Sequence, residues 1–81
     1  MRQNNNSVIL VEDNISLREG LEHHLVDAGF LIRGVGDGQE LNQELAISKP
    51  DVIVLDLNLP EEDGISIAKR VRLAYPSMGI V

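Results

Sequence analysis

Val52-Ile53-Val54-Leu55-Asp56 decides how this chain is read: four consecutive apolar residues, three of them β-branched, run straight into a carboxylate. An unbroken apolar run of this length suits a strand covered on both faces, as in a parallel sheet, better than one with a face in water. Val8-Ile9-Leu10-Val11 repeats the pattern and stops as abruptly, at Glu12-Asp13-Asn14. Between the two runs the apolar spacing changes. Leu17, Leu21, Leu25 and Ala28 recur at three- to four-residue steps and predict a helix with that stripe turned inward. Asn14 or Ser16 can cap it, Ser16 with Glu19 fits a capping box, and Gly29 supplies the stop.

Phe30 to Val35 reads as a second strand, less purely apolar because of Arg33 and Gly34. Asp37 can cap a second helix, with Glu40 three residues on, Leu41 and Leu45 facing inward, and Lys49-Pro50 at its end. Beyond Asp56, a loop from Leu57 to Asp63 contains Pro60. Gly64 opens a third helix with Ile65, Ala68, Val71 and Leu73 partly on one side, closed by Tyr75-Pro76. Met78-Gly79-Ile80-Val81 has the character of a fourth strand cut off as it begins. Strands alternating with helices predict an α/β sheet with right-handed crossovers. Residues 1–7 form a polar lead-in to a single unit spanning 8–81.

The totals agree. The chain has 81 residues, room for one domain, and its 43% hydrophobic content is too high for a disordered tail. No apolar run approaches the ~20 residues of a membrane span, and the polar N-terminus lacks a signal peptide's apolar segment. A cytoplasmic location is the expectation. Cysteine is absent, which excludes disulfides and thiolate metal sites. The net charge of -6 argues against this segment gripping a nucleic-acid backbone.

The placement of the acids carries the chemistry. Glu12 and Asp13 end the first buried run and Asp56 ends the third strand. If those strands are parallel neighbours, the three carboxylates emerge at one rim, where open α/β sheets bind ligands. Crowded carboxylates repel one another, and a divalent cation removes that penalty. Magnesium suits carboxylate oxygens, a backbone carbonyl and waters. A carboxylate relieved in this way can act as a nucleophile and form an acyl phosphate. For Glu12 and Asp13 alone, decoration of a helix N-terminus, where the dipole favours anions, is a plain alternative. It does not account for Asp56, which is costly to bury unless paired.

Four other patterns carry less. In Gly34-Val35-Gly36-Asp37-Gly38 the third glycine is one residue early for a dinucleotide loop, and the motif follows the second strand. Asp56-Leu57-Asn58 opens like a calcium loop, but Pro60-Glu61 stands where a polar ligand and a glycine belong. His23 and His24 are adjacent on a helix and point apart. Lys69, Arg70 and Arg72 cluster near a helix C-terminus, where cations are favourable.

With these residues in place, the sequence resembles the receiver domains of two-component response regulators. The resemblance rests on Val8 to Asn14, on Pro50-Asp51-Val52-Ile53-Val54-Leu55-Asp56-Leu57-Asn58-Leu59-Pro60, and on Asp63-Gly64. It runs from Ser7 to Val81. It implies a flavodoxin-like parallel sheet of order 2-1-3-4-5, ended here after three β/α units at the start of strand 4. It also implies phosphorylation of Asp56 by a sensor histidine kinase, with Mg2+ held by Glu12, Asp13, Asp56 and the backbone carbonyl of Asn58. Pro60 and Gly64 would shape the loop between site and third helix. A complete receiver continues further, with a Ser or Thr ending the fourth strand and a Lys ending the fifth. Both fall beyond Val81, so the resemblance implies impaired phosphotransfer in this segment.

With the last helix of such a fold absent, parts of the first and third strands are expected to be bare and the sheet edge open. The chain is therefore expected to self-associate through that edge or through exchanged elements. A DNA-binding domain beyond Val81, in a transcriptional regulator, is the expected context. Two rival readings remain: an interaction or dimerisation module that works without phosphorylation, and an Asp-nucleophile phosphatase of the haloacid-dehalogenase type. The latter wants a second acid where Asn58 stands.

Overall fold

The computed structural model describes residues 6–56, 59 and 62–81. Their elements run β1 (Ser7–Val11), α1 (Ile15–Asp27), β2 (Leu31–Val35), α2 (Gly38–Ile47), β3 (Val52–Leu55), α3 (Gly64–Ala74) and β4 (Gly79–Ile80). The four strands form one parallel sheet of order β2-β1-β3-β4. This is the first part of the expected order, with β1 and β3 side by side.

Each helix starts on the side chain of a short polar residue. Asn14 accepts from the Leu17 N–H at 2.9 Å, Asp37 from Glu40 at 2.8 Å and Asp63 from Ser66 at 2.8 Å, each satisfying a donor that the helix leaves without a partner. Asn14 is therefore the cap of α1, and Ser16 lies inside the helix. Glu40 reaches back to the Gly36 N–H at 2.7 Å, closing the N-terminal turn of α2. At the far end of α1, Gly29 has φ +100°. Its N–H donates to the Val26 carbonyl and that of Phe30 to the Leu25 carbonyl, the paired bonds that end a helix on a left-handed residue.

The main core lies on one face of the sheet. Ile9, Val11, Val35 and Ile53 meet Leu41 and Leu45 of α2 and Ile67 and Val71 of α3. Alternation along the strands turns Val8, Leu10, Val52, Val54 and Gly34 to the other face, where α1 lies. Here the expected inward stripe is corrected. No residue of α1 is buried. Leu17 and Leu21 are exposed, and the partly buried positions are Arg18, Glu22 and Leu25. Glu22 and Arg18 lie over Gly34, which offers no side chain to pack against, and Leu25 is the one member of the expected stripe that is partly buried.

In α3 the buried pair is Ile67 and Val71, four residues apart, while Ile65 and Leu73 of the expected face are exposed. The expectation of bare strands holds in part. Val8 and Leu10 of β1 are buried, whereas Val52 and Val54 of β3 are half-buried. Arg72 donates to the carbonyls of Pro76 (2.9 Å) and Met78 (2.7 Å), tying α3 to the turn before β4. Arg70 pairs with Glu62 and reaches Asn42 on α2. Two of the three clustered cations are thus engaged within the fold.

A candidate cation and phosphoacceptor site at the sheet rim

The register pairs Val11 with Leu55, so Glu12 and Asp56 are the next residues out of two neighbouring strands. The hydrogen-bond ladder continues past the strand ends: the Asp56 N–H donates to the Val11 carbonyl at 3.1 Å and the Glu12 N–H to the Val35 carbonyl at 3.0 Å. Parallel pairing therefore delivers Glu12, Asp13 and Asp56 to the same rim. One carboxylate oxygen from each lies within 4.8 Å of the others.

The three differ in surroundings. Glu12 is buried, Asp56 is partly buried and Asp13 is exposed. Burial pushes the Glu12 carboxyl above its ordinary value, and the charge of Asp56 and contact with Asp13 add to the rise. Against them works the Asn14 N–H, which donates to the Glu12 carboxylate at 3.1 Å. Asn14 thus serves twice, holding Glu12 with its backbone while its side chain starts α1.

A cluster of three anions with one member poorly solvated is short of positive charge. Its ligand atoms are all carboxylate oxygens, which suits a hard cation such as magnesium better than metals that prefer imidazole or thiolate. Asn58 and Pro60, expected as a carbonyl ligand and a loop former, lie outside the described residues. Gly64 is buried and opens α3 behind the Asp63 cap. His23 and His24 are exposed on α1, in keeping with a surface role.

A family model, that of the response regulator receiver domain, matches residues 8–81. The chain belongs to that family. The "Transcriptional regulatory protein GltR" of Pseudomonas aeruginosa is 39% identical over 72 residues, covering 89% of this chain and 30% of that protein. The "Virulence transcriptional regulatory protein PhoP" of Salmonella typhimurium is 36% identical over 74 residues, covering 91% of this chain and 33% of that protein. Among solved structures, the chemotaxis response regulator CheY4 of Vibrio cholerae superposes with a TM-score of 0.88 at 33% identity, over 95% of this chain and 66% of that one. TrrA of Thermotoga maritima, solved in complex with Mg(2+)-BeF, has the same fold, with a TM-score of 0.88 at 24% identity over 93% of this chain and 65% of that one. This receiver chain thus spans about a third of the length of the curated relatives it matches, and just under two thirds of each of these two solved chains. No helix among the described residues is long and apolar enough to cross a membrane.

One residue at the site escaped the sequence reading. Arg18 donates from Nη1 to the Glu12 carbonyl at 3.0 Å. The available signal was indirect: a cation one turn into the helix after the acidic pair, opposite a strand that carries Gly34 and is followed by Gly36.

Proposed function

We propose that this receiver domain accepts a phosphoryl group on Asp56 from the phosphohistidine of a sensor histidine kinase, with Mg2+ bound by Glu12, Asp13, Asp56 and the backbone carbonyl of Asn58. The convergence of three carboxylates, from the ends of two adjacent parallel strands, carries this reading. A carboxylate oxygen of Asp56 attacks phosphorus. The new O–P bond forms as the N–P bond of the phosphohistidine breaks, and the imidazole nitrogen keeps the electron pair. The cation, when bound, supplies the positive charge that offsets the acidic cluster and the incoming phosphoryl oxygens. Asp56 is held for this step by its backbone bond to Val11, Glu12 by its bonds to Val35 and Asn14.

The chain acts as a signalling module within a cytoplasmic transcriptional regulator whose DNA-binding part lies outside these residues. Two relatives are named transcriptional regulatory proteins and are about three times as long, which supports that context. Exposed Leu17, Leu21 and Leu73, with β2 and β4 as the outer strands of the described sheet, support association of the isolated chain with a second copy. Light scattering of a folded sample checks this; a monomer at all concentrations contradicts it.

Acetyl phosphate with Mg2+ separates the phosphoacceptor from its rivals. Slow phosphoryl labelling of one group per chain, read by intact mass and lost in Asp56→Asn, is the expected result. Rapid turnover of acetyl phosphate points to a phosphatase. Absence of label from a folded, cation-bound chain points to an interaction module that works without phosphorylation.

A further inference from the structure

We infer that Arg18 is a positioning residue of the cation site, acting through the peptide plane that joins two of the proposed ligands. The inference rests on the cation-site reading above. The carbonyl that Arg18 holds belongs to the peptide between Glu12 and Asp13. Fixing that plane restrains the backbone on both sides of it, and so the directions in which both carboxylates leave the chain. Glu12 then has three anchors: its N–H on Val35, its carboxylate on the Asn14 N–H and its carbonyl on Arg18. Only the last reaches in from the body of α1.

The path of the Arg18 side chain is provided by β2. A Cβ at Gly34 would collide first with the Glu22 carboxyl group and would stand 3.1 Å from Arg18 Cδ, and one at Gly36 would stand 3.3 Å from Arg18 Nη1. Both contacts with Arg18 are tighter than side chains ordinarily make, so the two glycines leave a trough that Arg18 shares with Glu22 at Gly34 and follows past Gly36 to the rim. On α1 it is Arg18 that is partly buried, while Leu17 and Leu21 are exposed. Outer partners of this kind, which orient ligands without touching the metal, typically change metal affinity by about 10- to 100-fold when removed.

A charge effect and a positioning effect have opposite signs here. A guanidinium near a cation site repels the cation, so removing the charge alone tightens Mg2+ binding. Loss of positioning weakens it. Isothermal titration with Mg2+ on the whole chain, compared with Arg18→Ala and Arg18→Lys after circular dichroism has established folding, reads the sign directly. The expected result is an affinity about 10-fold weaker in Arg18→Ala, partly recovered in Arg18→Lys, which keeps one donor. Should Arg18→Ala not fold, Arg18→Lys and Gly36→Ala, which crowds Nη1, carry the test, each with an affinity weakened severalfold. A folded Arg18→Ala that binds Mg2+ as tightly as wild type or more tightly overturns the inference, as do unchanged affinities in the other two variants. A wild-type chain with no Mg2+ binding instead overturns the reading on which the inference rests.

Discussion

The two faces of the sheet are built on different terms. On the α2 and α3 face, apolar side chains from three strands and two helices interdigitate, and Ile9, Leu41, Ile53 and Ile67 are wholly removed from solvent. On the α1 face the helix buries none of its residues and approaches the sheet through Arg18, Glu22 and Leu25. One face supplies most of the packing that stabilises the chain. The other supplies hydrogen bonds that hold the rim, where Arg18 and Asn14 converge on Glu12. Burial is nonspecific and scales with area, whereas a hydrogen bond fixes direction. A fold that must be stable and also aim three carboxylates has reason to use both.

The sharpest way to break this comparison is to cut into the packed face. Ile67→Ala removes a wholly buried side chain between α3 and the sheet and is expected to cost about 2–5 kcal/mol, read from urea denaturation. A loss near that of an exposed site would contradict the placement of the core. Gly29→Ala forces a side chain onto the left-handed end of α1, at φ +100°, with an expected cost of about 1–2 kcal/mol. Nothing packs within 4 Å of its would-be Cβ, so the cost reports backbone strain and not crowding.

A smaller effect, of opposite sign, is expected at the rim. Glu12→Gln removes a poorly solvated charge next to two others and is expected to stabilise the cation-free chain at neutral pH by about 1 kcal/mol. The pH dependence follows from the raised folded-state value. The folded chain holds the Glu12 proton more firmly than the unfolded chain does. The stabilising contribution is therefore fully present below the ordinary carboxylate value of 4.5 and is lost as pH rises through the raised one. The advantage of Gln, which does not titrate, should grow across that window and vanish below it. Thermal melts from acid to neutral pH check this, and a constant difference would contradict it. Smallest of all is Leu17→Ala on the solvent side of α1, expected within about 0.5 kcal/mol of wild type in the same melts. A large loss there would mean that α1 does bury its apolar stripe.

Much of this was legible in the residues. The apolar runs at 8–11 and 52–55 marked two parallel strands, and their acidic ends marked the rim, because the sheet's register carries strand ends to one side. Asn14 and Asp37 announced the starts of two helices for the local reason that each can accept from a free helical N–H. The inward face of α1 was not legible. Periodicity locates an apolar stripe but says nothing about what lies opposite, and here Gly34 and Gly36 make room for Glu22 and Arg18. The same limit blurred the buried face of α3: Val71 packs and Ala68 is half-buried as expected, but Ile67 packs as well while Ile65 and Leu73 are exposed. Asn58, the expected carbonyl ligand, falls outside the described residues, so the ligand set has structural support only for its three carboxylates.

If Glu12, Asp13 and Asp56 act as one cation site, the loss of any one carboxylate weakens the whole. Isothermal titration of the wild-type chain with Mg2+, alongside Asp13→Asn and Asp56→Asn, tests it most directly. A single Mg2+ per chain is expected in wild type and a clear loss of affinity in each variant, with all three proteins folded. A folded wild type that binds no Mg2+, or affinities that both substitutions leave unchanged, would contradict it.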